Sequence, residues 1–299
     1  MALDAFRKAD KQDGGHCVPC KRNIVRCGIE LRDWKAAESA AREMVADAHD
    51  ETAVAIAHYT LGMVLMNEAI SRHKEDLYSD VHQEMAEALK VHANFPDAVY
   101  ADGRALAYMN RDADAKARFE ELVKMRPEGN PDRQRAMRFI AQLELAKAKL
   151  APAFATTDSN GKRVSLDDFA GKVVLLDFWA TWCEPCRAAM PHIREIAKKF
   201  QHEPLVILSV SLDEDEKDWR EFITKQEMTW LQCRDGDGFR GDIARIFEVI
   251  AIPHTFTIDA DGILQDEHIG DASVEGKLKK LLARAKELQQ IQQSQKTPQ

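Results

Sequence analysis

From Cys17 to Lys149 apolar residues, many of them alanine, recur three and four positions apart, with Asp, Gly or Pro at the breaks and few β-branched runs. That spacing lines one face of successive helices and predicts an all-helical first half. A last helix over Asp132–Leu150 would close the stack with its polar outer face. The pattern changes at Leu150-Ala-Pro-Ala-Phe154, where Pro152 stops the helical run. Beyond it, the continuous apolar runs Lys172–Trp179 and Leu205–Leu212 read as strands buried on both faces. Helical spacing returns at Arg187–Gln201, Glu216–Glu227, Gly241–Phe247 and Val274–Leu288. Asn160-Gly161 marks a hairpin turn, and Ala260-Asp261-Gly262 joins two short strands, His254–Asp259 and Ile263–Ile269. The second half therefore predicts an α/β sandwich around a mixed sheet. The boundaries expected are a helical domain over 1–149, an α/β domain over 150–290, and a polar, frayed tail over 291–299.

Self-comparison sharpens the helical half. Between Pro96 and Pro127, the residues Gly103, Leu106, Ala115, Phe119, Leu122 and Pro127 fall at the offsets of a tetratricopeptide (TPR) repeat, which this stretch resembles. Small residues such as Gly103 and Ala115 sit where two helices cross, and Pro127 ends the second. A weaker copy lies in Cys17–Asp50, with a first helix to Leu31, a turn at Arg32-Asp33-Trp34, and Ala37 and Ala41 opening the second helix. Gly62 marks another copy, interrupted by extra residues around Arg72–Asp80. The resemblance implies a peptide or protein partner on this domain; the alternative is an ordinary α-helical bundle.

Composition narrows the function. Lys and Arg number 42 against 50 Asp and Glu, a formal charge of −8, which removes the electrostatic footprint of nucleic-acid or anionic-membrane binding. No uninterrupted apolar run approaches the ~18 residues of a transmembrane helix, so no membrane span is expected. The start of the chain lacks a signal-peptide core, which leaves either a cytoplasmic protein or an exported one whose leader is absent from this sequence. The six cysteines are too few for a disulfide framework, yet four of them fall into two C-x-x-C pairs, Cys17 with Cys20 and Cys183 with Cys186.

At the end of the first long strand stands Trp179-Ala-Thr-Trp-Cys-Glu-Pro-Cys-Arg187. Asp177 with Phe178-Trp179, this motif, the apolar strand before Asp213, Ile252-Pro253 and the Asp259–Gly262 hairpin follow in the order found in the thioredoxin fold. Within it, roughly Ala151–Leu288 resembles the bacterial TlpA/ResA-like thiol-disulfide oxidoreductases. The residues agree with that chemistry. A cysteine attacks as thiolate, and a helix N-terminus aims unpaired N–H groups and the positive end of the helix dipole at Cys183. Cys186, one turn later, is placed to resolve a mixed disulfide, so Cys183 is read as the nucleophile and Cys186 as the resolving thiol. Pro185 has no N–H to leave unsatisfied in the first turn. Glu184 adds a carboxylate that opposes thiolate formation, which points to a reductant.

Asp177 interrupts an apolar strand six residues before Cys183. Buried there it would be hard to ionise and suited to accept the resolving thiol's proton; the alternative is a carboxylate that merely finds a hydrogen bond. Thioredoxins carry an Asp at the matching position. The resemblance also implies that Pro253 is a cis-proline against the sulfurs and that the Ile252 backbone pairs with substrate. Where the family usually has Thr after this proline, the chain has His254, either a titratable group near the thiols or the start of a strand pointing away. Trp182 is expected to form an apolar lip over the disulfide, Trp179 and Trp219 to be core, and Glu216 to be surface.

Cys17-Val-Pro-Cys20 repeats the layout. Three readings stand: a structural disulfide, a second redox dithiol, or a metal site built with His16 and Cys27. Cys27 and Cys233 read as buried bystanders. No cofactor and no metal is otherwise expected. The function expected is disulfide exchange on protein thiols, with an upstream redox partner and the TPR-like half docking another protein. The resemblance and the extra C-x-x-C favour an exported, periplasmic setting. The alternatives are a TPR-mediated adaptor on a thioredoxin scaffold and, more weakly, a thiol peroxidase.

Overall fold

A computed structural model describes residues 2–270 and 274–296, with side chains described through residue 287. The chain divides into two compact units, Met1–Lys147 and Ala148–Gln299.

In the first unit the helices are α1 (Ala2–Gln12), α2 (Val18–Glu30), α3 (Trp34–Asp47), α4 (Glu51–Arg72), α5 (Leu77–Val91), α6 (Pro96–Tyr108), α7 (Asp112–Met125) and α8 (Pro131–Ala141), each packed on the next. Asp33 and Asp50 begin α3 and α4, their carboxylates accepting the backbone N–H groups of Ala36 and Ala53. Glycine decides how closely the pairs approach. A Cβ on Gly28 would stand 2.9 Å from the Ala37 Cβ, and one on Gly103 would stand 2.7 Å from the Phe119 ring, so neither site admits a side chain without the helices parting. The residues around Arg72–Asp80 form little more than a turn, because α4 and α5 lengthen to absorb the extra sequence.

Two details depart from the pattern-based expectation. The terminal helix stops at Ala141 rather than Leu150 and gives way to a 3-10 turn over Leu143–Lys147. The carbonyls of Ala146 and Lys147 accept from Arg104 Nε (2.8 Å) and Tyr108 Oη (2.6 Å) of α6, partners that an α-helical continuation would forgo. Second, α4 does have the length and mean hydropathy (1.3) of a membrane span. Its Leu61, Val64, Leu65, Met66 and Ala69 are buried in the core of the unit, and its Glu68 accepts from Arg72 and Lys74.

The second unit opens with a hairpin of β1 (Ala155–Thr157) and β2 (Arg163–Ser165). The main sheet follows: β3 (Val173–Trp179), α9 (Glu184–Lys199), β4 (Leu205–Ser211), α10 (Glu216–Lys225), β5 (Leu231–Arg234), α11 (Asp242–Ile246), β6 (His254–Ile258), β7 (Leu264–Ile269) and α12 (Glu275–Lys296). Its order is β5-β4-β3-β6-β7, with β3, β4 and β5 parallel and β6 and β7 antiparallel. This is the thioredoxin-like mixed sheet. The strand β5 had no clear signal in the sequence, being four residues long and only half apolar. The last helix extends through Lys296, so the tail expected to fray over 291–299 is helical as far as Lys296, and residues 297–299 lie outside the described residues.

Every residue of the central strand β3 is buried. Val173 and Leu175 pack with Ile193 and Ile196 of α9 and Leu278 and Leu282 of α12. Val174, Leu176 and Phe178 face the other way, where Phe178, Phe247 and Phe256 form an aromatic cluster. Alternation along the strand puts Asp177 on the Val173 and Leu175 side, beneath α9.

Candidate active site at the start of helix α9

The loop leaving β3 is tied down before the cysteines begin. The Asp213 carboxylate accepts from the Thr181 backbone N–H (3.0 Å) and hydroxyl (2.6 Å) and from the Ser211 hydroxyl (2.6 Å). The chain then turns so that Cys183 caps α9, its sulfur accepting the Cys186 N–H at 3.2 Å. The two sulfurs form a disulfide with Cα atoms 5.3 Å apart. Both cysteines are buried, whereas Glu184 and Pro185 between them are exposed in the first turn. The helix start supplies N–H groups and a positive dipole end that favour a thiolate at Cys183 whenever the disulfide is reduced.

Across from the disulfide, the Ile252–Pro253 peptide is cis, and the Ile252 carbonyl oxygen lies 3.8 Å from Cys183 Sγ. Below the pair is a cavity of about 30 Å³ lined by Asp177, Cys186, Met190, Trp230, Pro253 and Thr255. It is polar on the Asp177 side and large enough for a water molecule. Burial pushes the Asp177 carboxyl up to about 6, a rise limited by the hydrogen bond it accepts from the Ser209 hydroxyl at 3.0 Å. Trp230 Nε1 donates to the same Ser209 oxygen at 2.8 Å, leaving the Ser209 proton directed at Asp177.

Cys183, Cys186, Asp177, Ile252 and Pro253 thus meet in one place from three separate stretches of chain. Trp182 lies beside them, 58% exposed, and leans toward Phe239 with ring centroids 6.4 Å apart. The pair lines a groove of about 570 Å³ together with Asp213, Glu214 and Asp218. Trp179 and Trp219 are core and Glu216 is exposed. His254 pairs in register with Phe178 and stacks on Phe256 at 4.3 Å, so it belongs to the sheet face away from Asp177. Both its ring nitrogens are buried without a hydrogen-bond partner, and desolvation lowers its pKa. Thr255 is the β6 residue that faces Asp177. Ser209 and Trp230 were not picked out from the sequence, and Asp213 was named there only as the end of an apolar strand; the polar Ser209 and Ser211 in that strand were the available signal.

The family model described as the AhpC/TSA family matches residues 148–267. Over 137 residues the chain is 33% identical to the thiol-disulfide oxidoreductase ResA of Bacillus thuringiensis subsp. konkukian, covering 46% of this chain and 78% of that protein. The chain belongs to the ResA-like thiol-disulfide oxidoreductases. The thioredoxin-like protein YneN of Bacillus subtilis is 33% identical over 132 residues, with 43% of this chain and 75% of that one covered. Among solved structures, a thiol:disulfide interchange protein DsbE from Chlorobium tepidum aligns with 46% of this chain and 96% of its own length at 29% identity and a TM-score of 0.41. A ResA-like enzyme needs a dithiol that opens and closes. Of the cysteines in this unit, Cys183 and Cys186 are joined, whereas Cys233 is free and buried, and burial pushes its thiol pKa up, which keeps it unreactive.

In the helical unit Cys17 and Cys20 are also joined. Among the described residues no cluster of three or more His, Cys, Asp or Glu side chains could hold a metal ion, and Cys27 is buried as a free thiol. In this arrangement the Cys17 and Cys20 sulfurs are bonded to each other rather than held as separate thiolates beside His16 and Cys27.

Proposed function

We propose that the chain reduces disulfides in protein substrates, with Cys183 as nucleophile, Cys186 as resolving thiol and Asp177 as proton acceptor. The Cys183 thiolate attacks a substrate disulfide, forming a mixed disulfide and releasing one substrate sulfur, which takes up a proton. Cys186 passes its proton toward Asp177 and attacks the Cys183 sulfur. The second substrate thiol leaves, and the Cys183–Cys186 disulfide closes. Two electrons and two protons reach the substrate, and an upstream dithiol partner restores the enzyme. The observation that carries this reading is the Cys183–Cys186 disulfide at the start of α9, over a cavity shared with a carboxyl group whose pKa is raised to about 6. Ile252 and Pro253 would hold substrate backbone, with Trp182, Glu184 and Pro185 forming the surface it meets. Glu184 beside the sulfurs supports the reducing direction.

The helical domain, 1–149, is read as TPR-like and as the docking half, next to a thioredoxin-like domain over 150–290 and a polar tail over 291–299. Its support is the close glycine crossings and a cavity of about 160 Å³ lined by Tyr59, Met63, Met66, Tyr100 and Arg104. An exported, periplasmic setting fits two cysteine pairs that both close as disulfides.

The test is turnover of insulin disulfides by the full chain. Replacing Cys183 by Ser is expected to lower the rate by about 10³-fold or more, the scale of losing a covalent nucleophile. A variant that keeps wild-type turnover would remove the enzyme reading and leave the adaptor one. A reduction potential for Cys183–Cys186 close to about −270 mV marks a reductant, and one close to about −120 mV an oxidant.

A further inference from the structure

We propose that Cys17–Cys20 is a second redox-active disulfide, a dithiol-exchange site at the start of α2 that works independently of Cys183–Cys186. The local geometry of the catalytic pair is repeated there. Cys17 caps α2 and its sulfur accepts the Cys20 N–H at 3.2 Å, the same distance as Cys183 Sγ from the Cys186 N–H. Pro19 occupies the first turn as Pro185 does, and the Cα atoms are 5.2 Å apart against 5.3 Å. The Asp10 carboxylate accepts the Cys17 N–H at 3.0 Å and holds the loop that delivers Cys17 to the helix.

As a staple the bridge has little to restrain. The stabilisation from a cross-link grows with the length of the loop it closes, and this one encloses only Val18 and Pro19, which α2 already orders. As a reactive site it is better placed. Cys17 and Cys20 are both partly exposed, Val18 is 41% exposed, and His16 and Pro19 are exposed on either side. An incoming thiolate meets partly exposed sulfurs here, whereas Cys183 and Cys186 are buried. The helix N-terminus stabilises the departing Cys17 thiolate and makes the bridge easier to open.

The step balances with a dithiol donor. One donor thiolate attacks Cys17 Sγ, the Sγ–Sγ bond breaks, and Cys20 leaves and takes a proton. The donor's second thiolate then attacks its own sulfur in the mixed disulfide, and Cys17 leaves as thiolate. The donor becomes a disulfide and the Cys17–Cys20 pair has gained two electrons. The donor is a dithiol able to reach the partly exposed sulfurs at the start of α2.

The experiment uses the full chain carrying Cys183→Ser and Cys186→Ser, so that the catalytic pair contributes nothing. The chain is equilibrated with ratios of reduced to oxidised dithiothreitol, thiols are alkylated, and the Cys17–Cys20 peptide is read by mass spectrometry while circular dichroism follows the helices. Half-reduction is expected with the helices intact, at a ratio within about 10³-fold of that which half-reduces Cys183–Cys186 in the Cys17→Ser, Cys20→Ser chain, roughly the span from a thioredoxin to a protein disulfide isomerase. In the same background, Cys20→Ser is expected to leave a Cys17 thiol that iodoacetamide alkylates at pH 6 at least about tenfold faster than glutathione. A bridge that opens only beyond that ratio or only as the helices melt, or a Cys17 no faster than glutathione, overturns the proposal. Because both catalytic cysteines are absent, neither result depends on the mechanism assigned to them.

Discussion

Two helices of this chain, α2 and α9, begin with cysteine, one residue, proline and cysteine, and each sulfur cap accepts the same N–H bond at 3.2 Å. What surrounds them differs. The α9 pair lies over a buried carboxyl and against a cis-proline strand, and it is nearly closed to solvent. The α2 pair lies on the rim of a helical stack, partly open, beside the buried Lys21, whose ammonium is held by Asp47 at 2.6 Å and Glu43 at 3.5 Å. The lesson is that the four-residue motif supplies a thiolate-stabilising cap and no more. Proton transfer and substrate alignment come from elements remote in sequence.

Asp177 is the sharpest difference, and its replacement by Asn carries the largest expected effect of those that follow. Exchange through Cys183–Cys186 is expected to slow roughly tenfold at pH 7, under the usual range for acid–base groups because thiols also ionise unaided. The wild-type rate should fall as pH drops through about 6, and D177N should lack that limb. Stability moves the opposite way. The fold keeps the Asp177 proton up to about pH 6, while the unfolded chain releases it near 3.8, so native protein loses stability as pH rises through that window and does not regain it above. Removing the carboxylate should therefore stabilise the protein by up to about 3 kcal/mol at pH 7.5 and by little at pH 3.5, as read from urea midpoints. Neither change should alter the reduction of Cys17–Cys20; if D177N shifts that equilibrium as well, the two sites are not separate.

The helical counterpart is Lys21. Lys21→Met leaves the Asp47 and Glu43 carboxylates without their shared cation, but both reach water, so only a small fall in the urea midpoint of the helical unit is expected. Insulin turnover measured under native conditions should be unchanged. A parallel loss of turnover would mean that the helical unit supports the catalytic pair, and the contrast drawn between the sites would fail.

A smaller effect is expected at Trp182. Its side chain is largely exposed beside the disulfide, so Trp182→Ala should raise KM for insulin about threefold while kcat changes less, the pattern of lost uniform binding. Steady-state kinetics that show kcat falling with KM unchanged would place Trp182 in the transition state instead. Smallest is His254→Thr, which removes two buried ring nitrogens without partners. Because desolvation depresses the His254 pKa below its unfolded value of 6.5, the fold loses stability as pH falls through 6.5 and the ring must charge. Thermal melts at pH 5 should show the variant less acid-sensitive than the parent, and equal sensitivity would exclude His254 as the cause.

Much of this organisation was legible in the sequence. Apolar spacing distinguished the helical half from the α/β half, the buried strands β3 and β4 stood out as continuous apolar runs, and Asp177 was conspicuous as the one charge within β3. The misses have physical causes. The strand β5 is too short to show a period, and α8 ends early because Arg104 and Tyr108, far back in the chain, take the carbonyls that a longer helix would have used. The length of α4 invited the reading of a membrane span only after the helix was seen whole. The Trp230–Ser209–Asp177 chain of hydrogen bonds joins β3 to β4 and the segment after α10, which no local pattern encodes.

By itself the sequence determined that two C-x-x-C pairs stand at the starts of helices, because spacing of three along a helix and a proline in its first turn are local properties, while the Cys17–Cys20 bond itself came from the structure. Only the tertiary structure decided that one pair sits over a carboxyl of raised pKa with Ile252 and Pro253 opposite, while the other faces solvent. Burial and the meeting of distant strands set those surroundings, and neither is a property of any short stretch of chain.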